Sequence, residues 1–375
     1  AAPGGVIGIN GGLFLYAENE GQFASVLAHE LAHLSQRHFA RNVLYSKDNN
    51  LASVLVMVSA MAAAVATNNP NAFMAGPAFL QQQSLRYSRL FEREADRVGF
   101  NNLINAQYDP SSMGEMFEQM AKMRRLAGDN IPEFLLTHPI SSSRVADAFN
   151  AADQVESQYS KKDSLDYQLI RGRLRIKYEE IPLNAIRKIQ GIIKDDPSNE
   201  NRYALAVAYK RGNKYQDSLD MIDDLINEHP KNLILQNTKA EILLDKGDAE
   251  EALKIVNNAL NISPKNFPLS VLKAKILSYK KELFAAEEII RDQLLRRNTD
   301  PYLWLYLSEI QRDSKNVVGY HRSRAEYFLL LGQYEDALNQ LQFALKLTEN
   351  NFQISESIMT KINTTRKIIE GTRGQ

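Results

Sequence analysis

The sequence predicts a mainly α-helical chain in two parts: an N-terminal domain with one small β edge element, then a C-terminal α-solenoid. Three observations predict it. The run His29-Glu30-Leu31-Ala32-His33 sits in a proline-free, helix-favouring stretch; a second charged stretch, Ser88 to Asp96, reads as helix; and beyond residue 166 small residues and prolines recur every 34 positions. The 375 residues exceed one typical domain, and 44% apolar content is enough for a folded core. The expected domains are residues 1–153 and 167–375. The polar, charged join at 154–166 includes Ser160-Lys161-Lys162-Asp163-Ser164.

In chain order, Pro3-Gly4-Gly5 leads into a short apolar run at 6–10 that reads as a strand after a turn. An edge strand there can hold an extended peptide through main-chain hydrogen bonds; the alternative is a core strand. The chain opens without an initiating methionine, so it reads as processed or trimmed. A helix is predicted over residues 20–41, with Phe23, Val26, Leu27, Leu31 and Leu34 as its buried face. On that helix His29 and His33 are one turn apart on one face and can reach one metal ion. Glu30 projects beside them, where it can act as general base on a water whose pKa the cation lowers to about 7. With only six histidines in the chain, a chance match is improbable.

A hydrolytic zinc site needs a third protein ligand, and the absence of cysteine leaves carboxylate or histidine. In Ser88-Arg89-Leu90-Phe91-Glu92-Arg93-Glu94-Ala95-Asp96, Glu92 and Asp96 share a face at i and i+4 while Glu94 points elsewhere. A solvated face pairing with Arg89 and Arg93 explains the same pattern. At this point the sequence resembles the M48 family of zincin-like (gluzincin) metallopeptidases, whose motif is followed by a helix with a phrase like SRxxExxAD; here it reads SRLFEREAD. The resemblance implies one Zn2+ per chain, ligands His29, His33 and Glu92, Glu30 as catalytic base, and Asp96 as a partner of a ligand. Glu94 is the alternative ligand.

Leu136-Thr137-His138-Pro139 and the following Ser141-Ser142-Ser143-Arg144 are similar to the family's His-Pro pair and downstream arginine. His138 then either donates to the oxyanion of the reaction or binds zinc as a fourth ligand and leaves the enzyme latent; Arg144 partners a ligand. An ordinary loop histidine is the plain alternative. His38, five residues past His33, falls some 140° round a continuous helix and is expected to face away from the metal. His229 and His321 belong to the second domain. Residues 51–66 are apolar but shorter than the about 20 residues a spanning helix wants, so a buried or site-covering helix is expected, with peripheral membrane contact as the alternative. The Asn-, Gly- and Pro-rich stretch at 67–77 suits a mobile lid.

The repeats form three series: Ala206, Ala240 and Ala274; Ser218, Ala252 and Ala286; Pro230 and Pro264. A period of 34 is that of tetratricopeptide repeats, in which small residues let antiparallel helices pack closely. Gly247-Asp248-Ala249-Glu250-Glu251-Ala252 and Gly332-Gln333-Tyr334-Glu335-Asp336-Ala337 both read as a turn and the start of a second repeat helix. Ala325 lies 51 residues past Ala274, which predicts a register slip or inserted helix around Trp304 to Tyr320.

Formal net charge is zero, which argues against nucleic acid as a partner. A concave solenoid face suits a protein or peptide partner. An M48-type domain followed by such repeats resembles periplasmic metalloproteases of Gram-negative bacteria that assist the assembly and quality control of outer-membrane β-barrel proteins. The resemblance implies a zinc endopeptidase that takes unfolded or misassembled protein substrates, with repeats contacting the assembly machinery. A chaperone or scaffold with a latent zinc site is the alternative.

Overall fold

The computed structural model describes residues 7–42, 44, 89–126, 138, 140–155, 161–348 and 351–373. The segments at 51–66 and 67–77 lie outside them. The chain divides into two units, Ala1–Tyr178 and Glu179–Gln375, and every regular element among the described residues is helical. The strand expected at 6–10 begins outside the described residues; 7–10 run as irregular chain into the first helix.

The first unit contains α1 (Gly11–Tyr16), α2 (Glu20–Ser35), a short α3 (residues 38–42), α4 (described over 89–105), α5 (Ser111–Leu126), α6 (Ser142–Asp153) and α7 (Leu165–Lys177). Asn19 caps α2 by accepting from the Gln22 amide at 2.8 Å, and Glu20 in the first turn complements the positive end of the helix dipole. The helix predicted over 20–41 stops at Ser35: Arg37 takes φ +54°, a left-handed residue that re-aims the chain before α3. The buried side of α2 also differs from expectation. Phe23 and Val26 pack partly buried against the core as expected, but the fully buried positions include Gln22, Ser25, Ala28, His29 and Ala32, and Leu31 is half exposed.

Small residues line that side because α4 comes very close. A Cβ built on Gly99 would stand 3.0 Å from both the Cα and the amide nitrogen of His29, backbone atoms that have little room to give. Behind this contact, Leu13, Ala28, Phe100, Leu103, Met113, Met116, Phe117, Met120 and Ala148 form one core. Tyr167 joins α7 to the same unit: its ring lies 5.8 Å from Phe14 and 5.7 Å from Phe23, and its hydroxyl donates to the Asn19 carbonyl at 3.2 Å.

The second unit is a run of antiparallel helices. After α8 (Pro182–Ile192) come α9 (Asn199–Arg211), α10 (Tyr215–Glu228), α11 (Leu233–Lys246), α12 (Ala249–Ile262), α13 (Phe267–Tyr279), α14 (Leu283–Leu294), α15 (Pro301–Asp313), α16 (Val317–Leu330), α17 (Tyr334–Lys346) and α18 (Phe352–Arg373). From α9 to α16 both helix series start at 34-residue intervals. The small residues sit at the contacts: Ala206, Ala240, Ala274, Ser218, Ala252 and Ala286 are fully buried, and the Ser218 hydroxyl donates to the Ala206 carbonyl at 2.7 Å.

No helix is inserted at 304–320. Ser308, also fully buried, continues the alanine series 34 residues past Ala274. The left-handed residue of the turn recurs in the same step, at Asn213, Gly247, Lys281 and Lys315, and next at Gly332, half a period on. The sequence slip is therefore a change of small residue at 308, followed by a half-period shift in the turn phrase.

Gly99→Ala pushes α4 off α2 and costs about 1–3 kcal/mol, read as a lower midpoint in chemical denaturation. Lys281→Gly and Lys315→Gly each relieve a left-handed strain and raise the stability of the repeat unit by about 1 kcal/mol. Unchanged or lower midpoints would show that these lysines are not strained.

Candidate metal centre

Helix α2 presents His29, Glu30 and His33 on one side, because a five-residue span closes little more than one turn. Helix α4, held against α2 at Gly99, brings Glu92 to the same point; His138 arrives from the chain before α6. His29, His33, Glu92 and His138 each offer a donor atom, and these four atoms lie within 4.8 Å of one another.

His29 Nε2 is 3.0 Å from His33 Nε2, 3.4 Å from His138 Nδ1 and 3.5 Å from Glu92 Oε2. Glu92 Oε1 is 3.3 Å from His33 Nε2 and 3.1 Å from His138 Nδ1. A tetrahedral ion with bonds of about 2.0–2.1 Å requires ligand atoms about 3.3 Å apart, so the spacing and the three-nitrogen, one-oxygen donor set both suit zinc. Glu30 stands at the rim, with Oε1 3.2 Å from the Nε2 of His138.

Behind the donors lies a charged support. His29 Nδ1 is 3.0 Å from Asp96 Oδ1, off the ideal hydrogen-bond line. Asp96 is gripped by Arg144, whose Nε and terminal nitrogen each donate to a separate carboxylate oxygen at 2.7 Å. A second terminal nitrogen of Arg144 reaches Glu92 Oε2 at 3.0 Å. Arg144 is 5% exposed and lies over the Phe117 ring at 4.9 Å. Ser141 starts α6 by accepting from the Arg144 amide at 3.3 Å, so the cap sets where this guanidinium points.

These contacts govern the charges. Burial alone raises a carboxyl pKa, but hydrogen bonds from His138, His29 and His33 hold Glu92 far below the usual carboxylate range. Asp96 is likewise held low against its burial by His29 and Arg144. Burial pulls His29 down, yet the carboxylates of Asp96 and Glu92 outweigh it and raise its pKa to about 9. A cation held by these donors would displace that proton.

The structure brings together His29, Glu30, His33, Glu92 and His138, with Asp96 and Arg144 behind them. Glu94 stands apart: it accepts from Arg41 at 2.8 Å and faces His38 at 3.3 Å. His38 is not turned away as a continuous helix would have it. The break at Arg37 returns its ring to His33, Nδ1 to Nδ1 at 2.9 Å, where it is 4% exposed. The expectation that His38 faces away assumed a continuous helix, because the left-handed turn carries no glycine or proline to announce it.

A His-Glu-x-x-His turn and a glutamate from a second helix converge here in the arrangement of a metalloendopeptidase. Residues 1–152 match the model of peptidase family M48. It is 28% identical over 353 residues, 91% of the chain, to the Escherichia coli beta-barrel assembly-enhancing protease, of which it covers 70%. It is 31% identical over 242 residues, 61% of the chain, to a beta-barrel assembly-enhancing protease of Vibrio cholerae and spans 48% of that protein's length. The mitochondrial metalloendopeptidase OMA1 of Saccharomyces cerevisiae is 29% identical over 43% of the chain, covering 45% of that protein. Among solved structures, a thermophilic tetratricopeptide-repeat protein of Thermus thermophilus aligns with 52% of the chain and 98% of its own, at 18% identity and a TM-score of 0.33.

The raised pKa of His29 predicts how the metal-free protein responds to pH. Its stabilising contribution is complete below the unfolded value of about 6.5 and is lost as pH rises through about 9. Thermal melting of chelator-treated protein therefore falls between these limits, and His29→Gln flattens the fall. A wild-type melting temperature constant across that window contradicts the assignment.

Proposed function

We propose that the chain is a zinc endopeptidase of protein quality control, acting in the periplasm on unfolded or misassembled outer-membrane β-barrel proteins. One observation carries the chemistry: four donors spaced for one tetrahedral ion, with a glutamate at their edge. His29, His33 and Glu92 hold one Zn2+, which when bound supplies Lewis acidity to water and to the peptide carbonyl. Glu30 takes the proton of the attacking water and returns it to the departing amine, so one carboxylate serves as base and then acid. Asp96 and Arg144 hold His29 and Glu92 in place.

His138 is better read as a fourth donor than as an oxyanion partner. Its Nδ1 lies among the ligand atoms while its Nε2 contacts Glu30, so a single ring would add a fourth donor to a bound ion and also cover the base. In this form the enzyme is latent, and the ring must leave before water and substrate enter. Similarity to the assembly-enhancing proteases supports β-barrel assembly as the setting, and the repeats supply a surface for substrate or for the assembly machinery.

The closed His138 also favours a second reading, a chaperone or scaffold that works through its repeats with the zinc site shut. Glu30→Gln and His138→Ala separate the two in a peptidase assay paired with zinc analysis. For an endopeptidase, Glu30→Gln keeps zinc and loses activity by about 10²–10⁴-fold, while His138→Ala raises activity. Zinc-loaded wild type and His138→Ala both without activity on unfolded β-barrel protein would leave the scaffold reading standing.

A further inference from the structure

We propose that His38 is a positioning residue for the metal ligand His33, at the head of a hydrogen-bonded chain that continues through Glu94 to Arg41. The inference rests on the reading of His33 as a zinc ligand, and it concerns a different ligand from the one that Asp96 contacts.

His33 turns Nε2 toward the other donors, 3.0 Å from His29 and 3.3 Å from Glu92. A ring that gives its Nε2 lone pair to a cation carries its proton on Nδ1. That atom is 2.9 Å from His38 Nδ1. Two ring nitrogens at this distance share one proton, so His38 accepts at Nδ1 and carries its own proton on Nε2. Nε2 is 3.3 Å from Glu94 Oε2, an acceptor, and the same oxygen accepts from Arg41 at 2.8 Å. Each donor meets an acceptor from the metal side to the surface, with no conflicting proton.

Packing fixes the His38 ring as well. It stacks on Phe91, the residue before Glu92, with centroids 4.5 Å apart and planes at 21°. The Arg41 guanidinium lies 4.7 Å from the centre of the same ring. His33 on α2 and Glu92 on α4 are thus braced through one wedge, assembled by the left-handed turn at Arg37. The arrangement parallels that at His29, where the nitrogen facing away from the donors meets Asp96, itself held by Arg144. An outer partner of this kind is worth about 10–100-fold in metal affinity.

The test compares three full-length variants with wild type by zinc affinity in competition with a chelator and by the visible absorption of the cobalt(II)-loaded protein. His38→Phe keeps the ring and its stack but removes both nitrogens; His38→Gln keeps an acceptor and a donor. We expect about 10–100-fold weaker zinc binding and an altered cobalt spectrum in His38→Phe, with His38→Gln within about threefold of wild type. Equal loss in both, or loss in neither, overturns the hydrogen-bonded chain. If His38→Phe does not fold, Glu94→Ala decides, since that side chain is 27% exposed and its removal opens no core. Weaker zinc binding and a changed cobalt spectrum there are expected, and wild-type values overturn the proposal. His33→Ala with undiminished zinc affinity would instead overturn the ligand assignment on which the inference rests.

Discussion

The buried guanidinium of Arg144 is the interaction on which the first unit's chemistry depends. It sits on α6, meets both oxygens of Asp96 and one of Glu92 on α4, and through Asp96 sets the ring of His29 on α2. Removing one partner of such a buried pair strands the other charge, at a cost of about 3–5 kcal/mol, so the arrangement is held as a whole. Bidentate geometry adds direction to charge, which lysine in the same place would not supply. One side chain thereby converts the packing of three helices into the orientation of two ligands.

Charge balance explains how such a polar cluster is buried at all. Two carboxylates face Arg144 and, in the metal-free form, a protonated His29. Exchange of that proton for Zn2+ would add one unit of positive charge, which the Glu30 carboxylate beside the donors offsets. The small residues on the buried side of α2, with Gly99 opposite, are the steric counterpart: bulky side chains there would hold α4 too far away for Glu92 to reach the histidines.

Much of this was legible in the sequence because it is written in local spacing. The i, i+4 histidines, the Glu92–Asp96 pair and the 34-residue period are short-range patterns that a regular helix converts directly into geometry. What was not legible depends on departures from regularity. Arg37 adopts a left-handed conformation with no glycine to signal it, and that single residue returns His38 to the site. The apolar periodicity of α2 pointed to Leu31 and its neighbours as the buried face, whereas close helix approach selected the small side chains instead. In the solenoid, Ser308 continued a series that alanine alone had marked, because size at that contact matters more than chemical type.

The turn residues that recur at Asn213, Gly247, Lys281 and Lys315 bear on how such a chain can change length. Each repeat touches its neighbours through faces that reappear in the same phase, so adding or deleting 34 residues re-forms every contact with a different copy of itself. A step that is not a whole number of helices carries each downstream alanine off its helix face and each left-handed turn onto a residue unsuited to it. The next such turn, at Gly332, comes after half a period, which marks a single helix as the smallest increment. The array's length is in that sense quantised, and insertions between whole helices are the variation it can absorb.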